Sequence, residues 1–460
     1  MEFSATLMPH QVSAKAWCLA HEDGGCVMAL DMGVGKTVIS LSVLVERPMR
    51  TLVVMPLSLL SQWESEVTKH TCGLTVAVHH GNRRTSLVSM NNTTSADVVL
   101  TTYHTILTDM QCDRASFYGG FMRIIVDEAH KLRTAKSKTH IAVASIFRKT
   151  QYKMLLTGTP ICNSHEDMVS LFCLLNHRPF NNRSYWKGMD DEGKIVEMMD
   201  LRKKHVLYMR AEDYISGQLP CLQVLDVEQC FNKANQAGVY KDVLTDTIHT
   251  STKVHKILRL RQCSNDVRLL KVEDKKYCAD EMSDKVSMVQ HIVNGVPKGE
   301  KIIIFSEWLG MLKLLYLSVE AESLLYHGSL SKVNKDELIN NFKTDANINV
   351  LFMTLKAGSV GLNLTEASHA ILVEPYFNAS EENQAMGRIY RIGQKRDVKI
   401  YKLRISNTVE NWMRQLQRVK TKVADIVLRE DGRMDELSSE MVEKTRMFDM
   451  FVNNLKITDN

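Results

Sequence analysis

The sequence predicts an α/β protein built from two doubly wound parallel-sheet lobes joined by a helical connection. Three observations carry that reading. From Met1 to about Asn176, short apolar runs of strand length alternate with stretches of helical periodicity. Over residues 177–281 the alternation stops and charged residues recur at helical spacing; from Met282 to Leu428 it resumes. Strands that alternate with helices pair in parallel, and a strand buried on both faces reads as a continuous apolar run. The expected organisation is an N-terminal lobe at 1–176, a helical connection at 177–281, a second lobe at 282–428 and a weakly patterned tail at 429–460.

In the first lobe the strand candidates are Cys26–Leu30, Thr51–Met55, Val98–Thr101, Ile124–Val126 and Met154–Leu156, with helices expected over Val38–Val45 and Leu59–Thr68. In the connection, helical spacing marks Val239–Thr247 and Val254–Arg261. In the second lobe the strands are Ile302–Phe305, Val350–Met353, Ala370–Val373 and Val398–Leu403; the helices are Trp308–Val319, Lys332–Phe342, Glu381–Arg391 and a final amphipathic Thr408–Leu428. In such sheets ligands bind at the carboxyl ends of the strands.

Composition narrows the setting. A chain of 460 residues exceeds what a single core serves, and 44% hydrophobic with 24% charged residues is ordinary for a soluble globular protein. The ten cysteines include no C-x-x-C pair, so neither a structural zinc module nor a disulfide framework is expected. The start lacks a signal-peptide core and no apolar run reaches membrane-spanning length, which points to cytosol or nucleus and to no membrane partner. The net charge of +5 suits nucleic acid only if it is clustered.

Four constellations carry chemistry. Asp31-Met32-Gly33-Val34-Gly35-Lys36-Thr37 follows a strand and opens a helix, the context of a phosphate-binding loop. Its glycines let backbone N–H groups turn inward; Lys36 would reach the β- and γ-phosphates of a nucleotide and Thr37 would hold Mg²⁺. Leu30 stands where the pattern has its first glycine, so a purely structural glycine turn is the alternative. Next, Ile124-Ile125-Val126-Asp127-Glu128-Ala129-His130 puts two carboxylates at a strand end, where Asp127 can hold the metal and Glu128 can orient or deprotonate water. In Leu155-Leu156-Thr157-Gly158-Thr159-Pro160, hydroxyls at another strand end can sense loss of the γ-phosphate; a Gly-Pro turn is the bland reading. Lastly, Arg388 and Arg391 in Gln384–Gln394 are three apart and are expected on one helical face, suited to charge on a transferring phosphoryl group or simply to solvent.

The order of these blocks resembles a superfamily-two helicase motor, and specifically the Swi/Snf family of DNA-translocating ATPases. Further blocks carry the likeness: Met8-Pro9-His10-Gln11, the stretch Val54–Trp63, Thr101-Thr102-Tyr103, Ile302–Glu307, Tyr326-His327-Gly328-Ser329, Thr354–Leu364 and Asn407-Thr408-Val409-Glu410. So compact a motor is similar to the global transactivator proteins of large insect DNA viruses. The wording around Ala357–Ala367 is nearest a branch that carries a RING finger between its lobes, but the cysteines here cannot build one. Asp31, Ser359 and Tyr390 depart from the residues usual in the family.

The resemblance implies RecA-like lobes, ATP and Mg²⁺ as cofactors, and double-stranded DNA as partner, with DNA-bound proteins or nucleosomes as what is moved. It implies that Gln11 reads adenine and that Asp31 to Thr37 surround the nucleotide. It makes Arg388 and Arg391 arginine fingers on lobe closure, with Thr157, Thr159 and Gln384 as coupling residues. Pro56, Leu57, Ser58 and Thr102 in the first lobe, with Ser306, Thr354 and Gly358 in the second, would lie along the nucleic-acid groove. The expected activity is DNA-stimulated ATP hydrolysis driving translocation on duplex DNA in the nucleus. A strand-separating helicase and a catalytically weak transcriptional co-regulator are the alternatives.

Overall fold

The computed structural model describes residues 1–81, 96–112, 115–162, 166–175, 177–214, 217, 219–245, 252–270, 282–358 and 362–429. Among the described residues the chain divides into two compact units, one of residues 1–217 with 423–429 and the other of residues 219–422. Each is a parallel-sheet α/β lobe.

The first lobe holds β1 (Glu2–Phe3), β2 (Cys26–Leu30), β3 (Thr51–Met55), β4 (Thr71–Cys72), β5 (Val76–His79), β6 (Val98–Thr102), β7 (Arg123–Val126), β8 (Tyr152–Thr157) and β9 (Val206–Met209). Seven of these form one sheet in the order β5-β6-β3-β7-β8-β2-β9, every neighbour pair parallel, while β1 and β4 pair apart from it. Strands β2, β3, β6 and β7 are buried at every position, as expected of apolar runs covered on both faces. Four helices matter for the site: α1 (Pro9–His21), α2 (Lys36–Glu46), α3 (Leu60–His70) and α4 (Tyr103–Gln111). The register pairs Met55 with Thr102, Val54 with Val126, Val126 with Leu155 and Ala29 with Thr157, so the carboxyl ends of β2, β3, β6, β7 and β8 finish nearly level. The loops that follow them therefore gather at one end of the sheet.

The second lobe is the parallel sheet β10-β15-β14-β11-β13-β12, built from β10 (Leu222–Gln229), β11 (Ile302–Ser306), β12 (Ser323–Tyr326), β13 (Val350–Thr354), β14 (His369–Leu372) and β15 (Val398–Ile405). Alternate residues feed two cores: Ile303, Phe305, Leu351 and Met353 pack into one, and Ile302, Ile304, Val350 and Phe352 into the other. A third cluster joins helices Ala234–Leu244 and Lys253–Asn265 to Trp412, Met413 and Leu416 of the final helix, Val409–Leu428.

Two differences from the sequence reading concern the interval 177–281. It is mostly helical among its described residues, but it also supplies β9 to the first sheet and β10 to the second. Both lie at sheet edges, where one flank is unpaired. β10, Leu-Gln-Val-Leu-Asp-Val-Glu-Gln, is largely exposed and lacks the apolar run that marks a central strand. Most of the tail read at 429–460 lies outside the described residues.

Candidate active site

The phosphate-loop candidate sits between β2 and α2. Gly33 (φ 87°) and Gly35 (φ 106°) are both left-handed, a backbone that side chains other than glycine rarely adopt. At Gly35 space forbids a side chain as well, because an added Cβ would strike the amide nitrogen of Gln11. Gln11 is buried: its Nε2 donates to Val34 O (3.1 Å), its Oε1 accepts from Met8 N (3.0 Å), and His10 Nε2 reaches the same Val34 carbonyl (3.2 Å). The start of α1 thus braces the loop. On the other side Asp31 N donates to Met209 O (2.9 Å) and Asp31 Oδ2 accepts from Ala211 N (3.0 Å), tying the loop to the edge strand β9; burial raises the Asp31 carboxyl above its usual range. Met32 and Thr37 are half-buried, and Val34 is enclosed. The ammonium of Lys36 donates to Leu30 O (2.7 Å) and Asp31 O (3.3 Å). No side chain caps α2, so its first-turn N–H groups face the loop, an arrangement suited to an anion.

Two strands from β2, Asp127 and Glu128 follow β7. Asp127 is enclosed; its Oδ2 accepts from the indole N–H of Trp63 (2.8 Å) and its Oδ1 from Glu128 N (2.8 Å). The Tyr103 hydroxyl donates to the Asp127 carbonyl (2.7 Å) and lies 3.3 Å from that of Glu128. Glu128 itself is left-handed (φ 53°), which is unusual away from glycine and turns its half-buried carboxylate out of the strand line. His130 Nδ1 stands between Glu128 Oε2 (3.2 Å) and Thr157 Oγ1 (3.3 Å), and Thr157 Oγ1 accepts from Thr159 N (3.1 Å). One chain of polar contacts thus joins the second carboxylate to Thr157, which ends β8, and to Thr159 just after it.

Burial, and next repulsion from Glu128, push the Asp127 carboxyl up to about 6, against the pull of Trp63 and Lys36. A cation at this carboxylate would relieve both costs. Thr37 and Asp127 offer hard oxygen donors, which fits Mg²⁺ shared with a nucleotide's phosphates; among the described residues no group of three or more His, Cys, Asp or Glu side chains is placed to hold a metal alone. Mg²⁺ held at Asp127 would have to displace a proton there, so with that ligand the Mg²⁺ concentration for half-maximal nucleotide-dependent activity should rise as pH falls through about 6, by up to about tenfold per pH unit. Mg²⁺ titrations at about pH 5.5 and about pH 7.5 check this; equal half-points would contradict it.

The residues expected along a nucleic-acid groove are placed less uniformly. Pro56 and Ser58 are half-buried and Leu57 is 59% exposed, all just before α3. Thr102 is buried, and its hydroxyl caps α4 by accepting from Thr105 N (3.1 Å). In the second lobe Thr354 ends β13 half-buried and Gly358 ends the short helix Leu355–Gly358. Ser306 is enclosed, its hydroxyl 3.1 Å from both carboxylate oxygens of Glu374, whose carboxyl burial pushes up to about 7.

One expectation is corrected. Arg388 and Arg391 do not share a helical face, because the helix Ala379–Met386 stops before them with Gly387 as its cap. The following residues form turns, held by Gln394 Nε2 donating to the Ile389 (3.0 Å) and Ala367 (2.8 Å) carbonyls, with Ile389 drawn into the core. Arg388 is consequently buried (3% exposed), whereas Arg391 is half-buried and Gln384 sits half-buried on the helix. Trp63, Tyr103 and His130 were not assigned roles from sequence. Each stood inside a recognised block, but only the fold shows the Trp63 indole directed at the Asp127 carboxylate and the Tyr103 hydroxyl at the 127–128 backbone.

Comparison with known proteins identifies the family of the chain. The SNF2-related domain model matches residues 10–282, and the helicase conserved C-terminal domain model matches residues 284–393. The chain is 28% identical over 454 residues to a protein described as "Probable global transactivator" of Orgyia pseudotsugata multicapsid polyhedrosis virus, covering 89% of each. It is 28% identical over 460 residues to the mouse "Chromodomain-helicase-DNA-binding protein 1-like", covering 92% of this chain but 50% of that protein. Among solved structures, "Sulfolobus solfataricus SWI2/SNF2 ATPase core in complex with dsDNA" aligns over 96% of this chain and 97% of that one at 25% identity, with a TM-score of 0.43. With one model covering more than half of its length, the chain belongs to the SNF2-related family.

Proposed function

We propose that the protein is a DNA-stimulated ATPase that translocates on double-stranded DNA and remodels protein–DNA complexes, in transcription or in chromatin- or repair-type processes of the nucleus, a host nucleus if its origin is viral. The observation that carries the reading is the convergence of Gly33–Thr37, Asp127–Glu128 and Thr157–Thr159 at one end of the first sheet, within a chain of SNF2-related family. DNA as partner, and nucleosomes or other DNA-bound proteins as targets, are inferred from relatives such as the chromodomain-helicase-DNA-binding protein.

Lys36 and the N–H groups at the start of α2 hold the β- and γ-phosphates. Thr37 and Asp127 would hold Mg²⁺, which supplies charge neutralisation at the phosphates. Glu128, its carboxylate turned out by the left-handed backbone and set against His130, orients the attacking water and takes its proton. Gln11 acts at the adenine end. Arg391, and Arg388 where closure frees it, contribute cationic charge in the closed state, so nucleotide favours closure and hydrolysis releases it. Pro56, Leu57, Ser58 and Thr102, with Thr354 and Gly358, hold one strand's backbone without reading sequence; Ser306 acts from behind that surface. Thr157, Thr159 and Gln384 relay the state of the γ-phosphate.

Tracking and strand separation are told apart by two substrates offered in parallel. With ATP the protein should displace a third strand from a triplex while leaving a forked duplex paired. Unwinding of the fork at a comparable rate would make it a strand-separating helicase instead.

A further inference from the structure

The two first-lobe segments assigned to DNA each lead into an aromatic side chain whose polar end stops on Asp127 or on the 127–128 backbone. Residues 56–58 run directly into α3, and from α3 the indole of Trp63, 1% exposed, donates to Asp127 Oδ2 at 2.8 Å. Thr102 caps α4, and the next residue, Tyr103, 8% exposed, donates to the Asp127 carbonyl at 2.7 Å and lies 3.3 Å from that of Glu128. One segment thus reaches the side chain of the metal-site residue. The other reaches the backbone on which both carboxylates turn, at the point where Glu128 is held left-handed.

Both rings are rigid and enclosed, so neither can yield by changing rotamer as an exposed lysine would. A shift of α3 or of the start of α4 must then be taken up at Asp127 or in the 127–128 turn. We propose that Trp63 and Tyr103 are positioning residues that couple DNA contact at 56–58 and Thr102 to the nucleotide site through Asp127 and Glu128; the inference rests on the DNA reading given above. Such coupling is reciprocal: nucleotide changes DNA affinity by the same factor as DNA changes nucleotide affinity.

The test reads binding, not turnover. Fluorescence anisotropy of a labelled blunt duplex gives its Kd with and without Mg²⁺ and a non-hydrolysable ATP analogue, and the ratio is the coupling factor, expected in the range of about 5 to 150 for the unaltered protein. Trp63→Phe and Tyr103→Phe remove one donor each and keep a ring. Each should bring the ratio down at least about fivefold towards unity while the nucleotide-free Kd stays within about twofold. Trp186→Phe is the control, since that buried indole donates to Phe180 O (2.9 Å), away from the carboxylates, and its loss should leave the ratio unchanged. If Trp63→Phe does not melt cooperatively, Tyr103→Phe decides alone, because it deletes only a hydroxyl. A ratio in the folded variants equal to that of the unaltered protein, or a ratio of one in the unaltered protein, overturns the coupling role. Absence of duplex binding by the unaltered protein would instead overturn the DNA reading, and this inference with it.

Discussion

Lys36→Ala should lower DNA-stimulated ATP hydrolysis by about 10²–10³-fold, the cost of removing one preorganised charge from a phosphoryl-transfer site. The structure explains why so small a change acts so strongly. In the present state the ammonium is held by the Leu30 and Asp31 carbonyls at the base of the loop, poised where the turn opens, and its charge also pulls down on the Asp127 carboxyl. Alanine removes the cation from both roles without disturbing a core, since Lys36 is half-buried and outside the apolar cluster beneath α2. Phosphate release at saturating duplex DNA measures the loss, and an unchanged melting temperature assigns it to chemistry. A variant that keeps the original turnover would show that Gly33–Thr37 is a structural turn.

Arg391→Ala is expected to cut DNA-stimulated turnover by about 10³-fold or more, the range in which arginine fingers act. Affinity of the protein for ATP should change only a few-fold, because the reading proposed above gives the phosphate grip to Lys36 and α2. Arg391 is the cleaner probe of the pair: it is half-buried, whereas Arg388 is 3% exposed and its removal also leaves a gap in a packed lobe. Rapid-quench single turnovers beside equilibrium binding of a fluorescent ATP analogue separate the two quantities. Full activity in Arg391→Ala would remove it from the chemistry.

What could be read from sequence follows a physical line. Every interior strand of both sheets showed as an apolar run, because such strands are covered on both faces and flanked on both sides. The strands that did not show are the four edges of these sheets, β5, β9, β10 and β12, with the two-residue β1 and β4; β10 carries the polar residues an edge tolerates, whereas β9, Val-Leu-Tyr-Met, is apolar but lies inside the interval read as a helical connection. The glycine turn between β2 and α2 was legible because its left-handed backbone at Gly33 and Gly35 demands glycine. Asp127 and Glu128 were legible from their place after an apolar run. The relation of Arg388 to Arg391 was not, since three-residue spacing marks a shared face only while the helix lasts, and Gly387 ends it. Nor were the contacts of Trp63 and Tyr103: their neighbours in sequence are polar, and the polar atom of each ring finds its partner only once β3, β6 and β7 lie side by side.

The central claim is that this nucleotide site answers to duplex DNA, and the rate of ATP hydrolysis with and without blunt double-stranded DNA tests it most directly. Duplex should raise the rate at saturating Mg²⁺ and ATP by at least about tenfold, a lowering of the barrier by about 1.4 kcal/mol or more, and single-stranded DNA or RNA should do markedly less. Hydrolysis at the same rate whether or not duplex is present would contradict it.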